Sequence, residues 1–301
     1  MLARGLGQIY EGRVEYRHFI QEKFPNIQGK VREILLTHAS FRAGIGYWTG
    51  DVSSKLYGVP ENKRKGIKLA AMLFGIVMRN IDNLTDNEYS ELAVEHKREI
   101  LKHFLLLLSG ETSEMLYFDT PHLHELELLA FEFHKLIGEN SDLCDTLKRL
   151  ESVVRNQLIM EGGSFDDWVN IARDTGGNTS TMTIGFGQFF GTGDHESLNA
   201  AVFQLGSWMQ VYDDIIDRND DRRRGQKTFA TEFPEFELKG LEQDFRNRVL
   251  LALDGINPNQ KETIKNLMKI FRTLNWINSH SRIRRTLGRN FPEIIIPSAS
   301  S

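Results

Sequence analysis

The sequence predicts an all-α protein that folds as a single domain. Apolar residues recur at intervals of three and four along most of the chain, whereas the alternating patterns that indicate β-strands are scarce. Only seven prolines occur in 301 residues, none lies between Pro121 and Pro234, and no Gly/Ser/Pro-rich linker divides the chain. We therefore expect one domain over residues 1–289 and a flexible C-terminal tail over residues 290–301.

Composition and charge exclude several classes of protein. The formal net charge of −4 argues against a nucleic-acid-binding surface. The single cysteine, Cys144, rules out an intrachain disulfide framework and suits a reducing compartment. The first 21 residues contain no apolar signal-peptide core, and the longest apolar run, residues 69–78, is too short to span a bilayer. These features predict a cytoplasmic protein with no transmembrane segment and no nucleic-acid partner.

Helical periodicity divides the chain into successive elements. Predicted helices lie around residues 31–44, 71–86, 90–108, 123–136, 143–158, 164–182, 198–217 and 260–277. The run Ser164-Phe-Asp-Asp167 resembles a capping box and should begin the sixth of them. Within that helix the pair Gly176-Gly177 predicts a kink that exposes backbone carbonyls and the hydroxyls of Thr179 and Ser180. A plain loop break at the glycines is the alternative.

Two of these helices carry a face that changes from small or apolar residues to carboxylates. One face consists of Phe203, Gly206, Gln210, Asp213 and Asp217. The other consists of Ala71, Gly75, Met78, Asp82 and Asp86. Residues three or four apart share one side of a helix, so each segment aims two carboxylates at one point. Opposed across a bundle, the two faces would form a pocket with an acidic mouth, and its hard oxygen ligands would suit Mg²⁺ bound together with phosphate oxygens.

At these residues the chain resembles the trans-isoprenyl diphosphate synthases of the class I isoprenoid synthase superfamily. Gln210 stands three residues before Asp213-Asp214-Ile-Ile-Asp217, and Gly225-Gln-Lys227 follows, as in the second acidic motif of that family. Asp82-Asn83-Leu-Thr-Asp86 takes the place of the first. The resemblance implies a helical bundle with a central apolar cavity, a homodimer, and a Mg²⁺-dependent prenyltransferase that ionises an allylic prenyl diphosphate. It also implies three Mg²⁺ ions when the diphosphate is bound.

The resemblance carries roles onto individual residues. The expected metal ligands, which are also catalytic, are Asp82, Asp86, Asp213 and Asp217. Lys227 is the expected catalytic diphosphate clamp, and an arginine of the triplet at residues 222–224, expected on the loop after the second motif, would close as a lid. The expected substrate-binding residues are Lys30, Arg32, Asn83, Gly176, Thr179, Gln210, Arg224 and Lys227.

Some phosphate-binding groups of the family are absent. Asn87-Glu-Tyr-Ser replaces the Arg-Arg-Gly that follows the first motif, and Asp174 replaces the lysine of a Lys-Thr pair. The basic segment near Lys30 retains only one lysine and one arginine. The chain is therefore equipped to hold one diphosphate better than a second, and we expect an acceptor other than isopentenyl diphosphate.

Other interpretations remain open. A class I terpene cyclase would use the same ionisation, although its Asn-Asp-x-x-Ser-x-x-x-Glu motif is missing, because Arg223 follows Asn219-Asp220 where serine is needed. A non-catalytic regulatory subunit of a prenyl synthase would explain Asn83 and Asp174. In the simplest interpretation, the acidic helix ends, Lys30 with Arg32, and the arginines of residues 282–289 form ordinary solvated surfaces.

Overall fold

The computed structural model describes residues 2–29, 36, 40–85, 93–116, 118, 121–138, 141–159, 163–191, 195–225 and 227–279. Within these ranges the side chains of residues 79–85, Arg224 and residues 276–279, among others, are not described. The expected tail over residues 290–301 lies outside the described residues. The described part of the chain is all-helical and contains no β-strand, as the sequence predicts.

Ten long helices account for most of the described residues. Their bounds are α1 Leu2–Lys23, α2 Ser40–Leu56, α3 Glu61–Thr85, α4 Val94–Ser109, α5 Pro121–Ile137, α6 Ser141–Ile159, α7 Phe165–Thr183, α8 Glu196–Arg224, α11 Leu241–Ala252 and α12 Pro258–Ser279. Two four-residue helices, α9 Phe229–Glu232 and α10 Glu235–Leu238, lie between α8 and α11. A 3₁₀ turn, Phe186–Phe189, follows α7. None of the described helices is both long and apolar enough to cross a membrane.

The predicted helices agree with the structure in most segments and miss two regions. The segments predicted around 90–108, 123–136, 143–158 and 260–277 correspond to α4, α5, α6 and α12 within a few residues. The helix α1 was not predicted. The segment predicted over residues 31–44 lies mostly outside the described residues, and its last residues belong to α2, whose remaining part, residues 45–56, was not predicted. The reason for the second miss is glycine: Gly44, Gly46 and Gly50 lower helix propensity, but tertiary contacts compensate for it.

The glycines of α2 allow it to lie close against its neighbours. A Cβ atom at Gly46 would lie 2.6 Å from the carbonyl oxygen of Ala71, and one at Gly50 would lie 2.8 Å from the Cα of Lys68, both in α3. Gly75, which belongs to the predicted pocket-lining face of α3, is itself within contact distance of Gly46. This part of the face is therefore a close helix–helix contact.

The pair α7 and α8 is packed in the same way. A Cβ atom at Gly176 would lie 2.6 Å from the Cβ of Gln210, and one at Gly177 would overlap the ring of Phe203. The hydroxyl of Ser207 donates a hydrogen bond to the carbonyl oxygen of Arg173 at 2.9 Å, which ties the two helices together. The helix α7 runs without a break through Gly176-Gly177, so the loop break considered as an alternative is wrong.

The start of α7 confirms the predicted capping box. The Ser164 hydroxyl accepts from the Asp167 backbone N–H at 3.2 Å, and the Asp167 carboxylate accepts from the Ser164 N–H at 3.0 Å. These reciprocal bonds satisfy two backbone donors that the helix itself cannot pair. Four consecutive residues, Ser164 to Asp167, thus specify where α7 begins.

Candidate metal and diphosphate site

The two helices that carry the acidic motifs end at the same end of the bundle. Gly46 packs on Ala71 and Gly50 on Lys68, so α2 and α3 run in opposite directions. The C-terminal end of α2 therefore lies beside the start of α3. There the hydroxyl of Tyr57 donates to Asn199 Oδ1, in the first turns of α8, at 2.8 Å. Hence α3 and α8 start at one end of the bundle and both run toward the other.

Helix lengths bring the two acidic motifs to similar heights. At about 1.5 Å per residue, Asp82 lies about 30 Å from the start of α3, and Asp217 lies about 27 Å beyond Asn199 along α8. The helix α7 contacts both α3 and α8, so the two acid-bearing helices share a neighbour. The backbone thus places Asp82 and the second motif at one end of the molecule.

In the second motif, Asp213 is held by a residue from the last described turns of α12. The Asn275 amide donates from Nδ2 to Asp213 Oδ1 at 2.9 Å, across 62 positions of the chain. Asp213 is partly exposed and Asp217, one turn further along α8, is exposed. The amide of Asn275 thus orients the Asp213 carboxylate and brings no charge of its own.

The adjacent carboxylate, Asp214, has a different environment. It is 8% exposed, and its Oδ1 accepts from Gln210 Nε2 at 2.8 Å. Gln210 was predicted to bind substrate, and in the structure its Cβ packs near Gly176 while its amide holds Asp214. Neighbouring residues on a helix point about 100° apart, which explains why two consecutive aspartates have separate amide partners.

The arginine triplet does not lie on a loop, contrary to the sequence-based expectation. Residues 222–224 form the last turn of α8, which ends at Gly225 with a φ of 70°. Arg222 donates to the Thr231 carbonyl at 3.3 Å, and Arg223 pairs with Asp220. These two arginines make local contacts at a helix C-terminus, where positive charge is favourable. The side chain of Arg224 is not described.

Lys227 lies in the short connection between α8 and α9, and its side chain is exposed. Arg218 of α8 anchors the residues that follow this connection. Its Nε donates to the Ala230 carbonyl at 2.7 Å, and a terminal nitrogen donates to the Phe233 carbonyl at 3.0 Å. The Thr228 hydroxyl caps α9 by accepting from the Thr231 N–H at 3.3 Å. Lys227 is therefore a cation on an anchored segment, ten residues beyond Asp217.

The helix α7 contributes Asp174, Thr175 and Thr179 beside this region. Asp174 Oδ1 accepts from the neighbouring Arg173 Nε at 2.8 Å, so this acid is paired. The Thr175 hydroxyl is buried, and no described group hydrogen-bonds to it. Thr179 is partly buried, and its carbonyl accepts from Thr183 Oγ1 at 2.9 Å. Gly176 lies in the contact with α8.

The other half of the predicted site is described only as backbone. Asp82 and Asn83 lie in the last turn of α3, without a description of their side chains, and Asp86 lies outside the described residues. Lys30 and Arg32 also lie outside them. Among the side chains that the structure does describe, no three His, Cys, Asp or Glu residues form a metal-binding group. The four-carboxylate arrangement therefore stays a prediction.

A separate pocket of about 150 Å³ lies at the opposite end of α8. It is lined by the first residues of that helix and by the start of α12, including His195, Leu198 and Gln260. Leu198 is about 22 Å from Asp213 along the helix. This pocket consequently does not belong to the acidic end.

A buried acidic residue, which the sequence reasoning missed, lies in α5. Glu125 is 2% exposed, and burial raises the pKa of its carboxyl to about 8, with the positive charge of Arg42 acting in the opposite direction. The Tyr16 hydroxyl, within range of the Glu125 charge, is fully buried, and no described group hydrogen-bonds to it. Burial raises the pKa of Tyr16 as well. The nearly all-apolar surroundings of Glu125 in the pattern Leu-His-Glu-Leu-Glu-Leu-Leu were the available signal.

A second buried glutamate of α5 has polar partners. Glu127 is fully buried, and its Oε1 lies 3.0 Å from His103 Nε2 of α4. The same oxygen accepts from the backbone N–H of Leu116, and His124 Nδ1 lies 3.7 Å from the other oxygen. This acid joins α4, α5 and the segment between them, which is a structural role.

No protein-family model matches the chain, and no curated protein matches it.

Proposed function

We propose that this protein is a Mg²⁺-dependent prenyltransferase that ionises an allylic prenyl diphosphate at the acidic end of the bundle. The observation that carries the proposal is the common direction of α3 and α8, since both helices end in carboxylate motifs at one end of the molecule. Asp213 and Asp217, with Lys227 ten residues further on, are the described members of this site.

The described donor set fits Mg²⁺. Asp213 and Asp217 supply hard carboxylate oxygens from one side of α8, and both have solvent access. The buried Asp214 accepts a hydrogen bond from Gln210, and Asp213 and Asp217, which both reach solvent, are the ligands proposed on this helix. Bound Mg²⁺ would neutralise negative charge on the pyrophosphate leaving group. Asp82 and Asp86 complete the set in this proposal.

The chain's own residues have distinct tasks in the reaction. The allylic C–O bond breaks with its electron pair leaving on pyrophosphate, and the exposed Lys227 ammonium binds the phosphate oxygens. The acceptor's π electrons then attack the allylic cation, and the product loses a proton. The proposal includes an apolar cavity around the cation. Its apolar residues would exclude water and so protect the cation from hydrolysis.

The acceptor is proposed to differ from isopentenyl diphosphate. The carboxylate of Asp174 carries a negative charge where the family has a lysine, and Arg173 is the neighbouring cation that partners it. A second diphosphate would therefore lie beside the neutral Arg173–Asp174 ion pair, where the family provides a positive charge. The acceptor that suits this arrangement has no diphosphate of its own.

The first experiment measures melting temperature with Mg²⁺ alone, pyrophosphate alone, and both. The acidic end should repel bare pyrophosphate, so the shift with both should exceed the sum of the separate shifts. Binding to the native state adds about 2.7 kcal/mol of stability at a hundredfold excess over Kd. Additive or absent shifts would count against a shared metal–phosphate site.

The second experiment identifies the reaction by mass spectrometry after incubation with C10, C15 and C20 allylic diphosphates, with and without isopentenyl diphosphate. A coupled product from two substrates supports the prenyltransferase. A hydrocarbon or terpene alcohol from one substrate indicates a terpene cyclase instead. No pyrophosphate release from any of the three favours the regulatory subunit.

A further inference from the structure

We propose that Asn275 of α12 is a positioning residue for the metal ligand Asp213, so that the docking of α12 sets the metal affinity of the site. This inference rests on the proposed function. Its starting observation is the hydrogen bond of 2.9 Å from Asn275 Nδ2 to Asp213 Oδ1. Metal-binding carboxylates are commonly oriented by such outer hydrogen bonds, whose loss typically costs 10- to 100-fold in metal affinity.

The contact does not stand alone, because an aromatic cluster fixes α12 against α8 one turn earlier. The ring of Phe271 lies 5.9 Å from Trp208 and 6.0 Å from Tyr212, and these two rings stack on each other at 5.4 Å. Trp208 is fully buried, and its indole N–H donates to Glu242 Oε1 at 2.9 Å. The backbone that carries Asn275 is therefore held in place by packing.

The positions of these residues along α12 and α8 explain how the aromatic packing places the amide beside the carboxylate. Asn275 follows Phe271 by four residues, so the two side chains share one face of α12. Asp213 directly follows Tyr212, the residue that Phe271 contacts. The aromatic contact thus places the amide opposite the acid, and a shift of α12 along α8 would remove both together.

The chemistry of an amide suits this role better than that of a charged side chain. An asparagine donates a hydrogen bond and adds no net charge, so it fixes the carboxylate while leaving its attraction for a cation intact. A lysine or arginine at the same position would compete with Mg²⁺ for Asp213. The amide donors of Asn275 and Gln210 therefore orient the two consecutive aspartates and leave the charge of the site unchanged.

The test compares Asn275→Ala with Asn266→Ala, a matched asparagine nine residues earlier in the same helix. Binding of Mn²⁺ in the presence of pyrophosphate is titrated by electron paramagnetic resonance, and melting temperature is recorded without ligands. We expect 10- to 100-fold weaker Mn²⁺ binding for Asn275→Ala and wild-type binding for Asn266→Ala. If Asn275→Ala does not fold, Asn275→Leu, which keeps the side-chain volume, replaces it.

A kinetic readout separates positioning from a general structural role. With Asn275→Ala, raising the Mg²⁺ concentration should restore turnover, so that the KM for Mg²⁺ increases 10- to 100-fold and kcat at saturation changes little. Unchanged Mn²⁺ affinity in a folded variant, with normal wild-type binding, would overturn this inference alone. Absence of Mn²⁺ binding by the wild-type protein would overturn the proposed function together with it.

Discussion

The aspartates of α8 and the glutamates of α5 are two acidic groups with opposite environments. Asp213 and Asp217 lie toward solvent at the end of a long helix, and Asp213 accepts a hydrogen bond from the amide of Asn275. Glu125 and Glu127 lie in the core, where they are 2% and 0% exposed. The sequence shows both groups simply as carboxylates on helices.

The difference between them follows from what surrounds each charge. In α5, burial outweighs the attraction of Arg42 and favours the neutral acid, so the pKa of Glu125 rises to about 8. In α8, Asp213 and Asp217 reach solvent, and Asp213 accepts a hydrogen bond from a neutral amide. Acid residues therefore indicate a metal site only where the fold keeps them charged.

The largest expected effect is on catalysis at Asp213. Asp213→Asn removes the charge while an amide oxygen remains near Asn275, so pyrophosphate release should fall by orders of magnitude while the melting temperature changes little. Glu125→Gln, in the other acidic group, is the matched control and should retain turnover at pH 7. Activity of Asp213→Asn within a few-fold of wild type would remove Asp213 from the site.

The next effect is on stability and concerns Glu125. Its folded pKa of about 8 exceeds its unfolded value, so the folded state retains a proton that the unfolded state releases. Its stabilising contribution is complete at pH below about 4.5 and is lost as pH rises through about 8. Glu125→Gln lacks this loss and should be more stable than wild type at pH 8 by several kcal/mol. The upper limit is about 5 kcal/mol, at 1.36 kcal/mol for each pKa unit between the folded and unfolded states.

Denaturant unfolding of both proteins at pH 5 and pH 8 measures this difference, and subtracting wild type removes the contributions of other titrating groups. The exposed Glu99 of α4 gives the control Glu99→Gln, which should show no pH-dependent difference. An equal stability difference at both pH values for Glu125→Gln would mean that Glu125 is ionised in the core.

A smaller effect is expected at Asp174, an acid that is paired by its neighbour Arg173. A like charge at about 4 Å costs about 1 kcal/mol in water, so Asp174→Lys should improve binding of isopentenyl diphosphate about fivefold or more. The measurement is the Kd for isopentenyl diphosphate. Asp174→Asn, which removes the negative charge without adding a positive one, should give a smaller gain. Efficient condensation of isopentenyl diphosphate by the wild type would contradict the premise.

The smallest effect is expected at Asp214, although it adjoins Asp213. Asp214→Asn keeps an oxygen that can accept from Gln210, and the residue is buried away from the proposed ligands. Turnover and the KM for Mg²⁺ should stay within a few-fold of wild type. A loss equal to that of Asp213→Asn would show that the two carboxylates act together at the metal.

Local patterns were sufficient to predict much of the fold and part of the site. Three- and four-residue periodicity located most of the long helices, and the capping box at Ser164–Asp167 set the start of α7, because these signals depend on neighbours within a few residues. The same periodicity placed Asp213 and Asp217 on one side of a helix. Most of the glycine-rich α2 was missed because its propensity is low and its stability comes from packing.

Contacts between distant residues decided the rest. The hydrogen bond between Tyr57 and Asn199 joins residues 142 positions apart and brings the starts of α3 and α8 to one end of the bundle. Asn275 reaches Asp213 across 62 positions. The burial of Glu125 is likewise a property of the assembled bundle. The amino-acid sequence by itself determined which residues share a helix face, since that depends only on helix geometry. Only the tertiary structure decided which faces meet, and whether an acid meets an amide, a cation or the core.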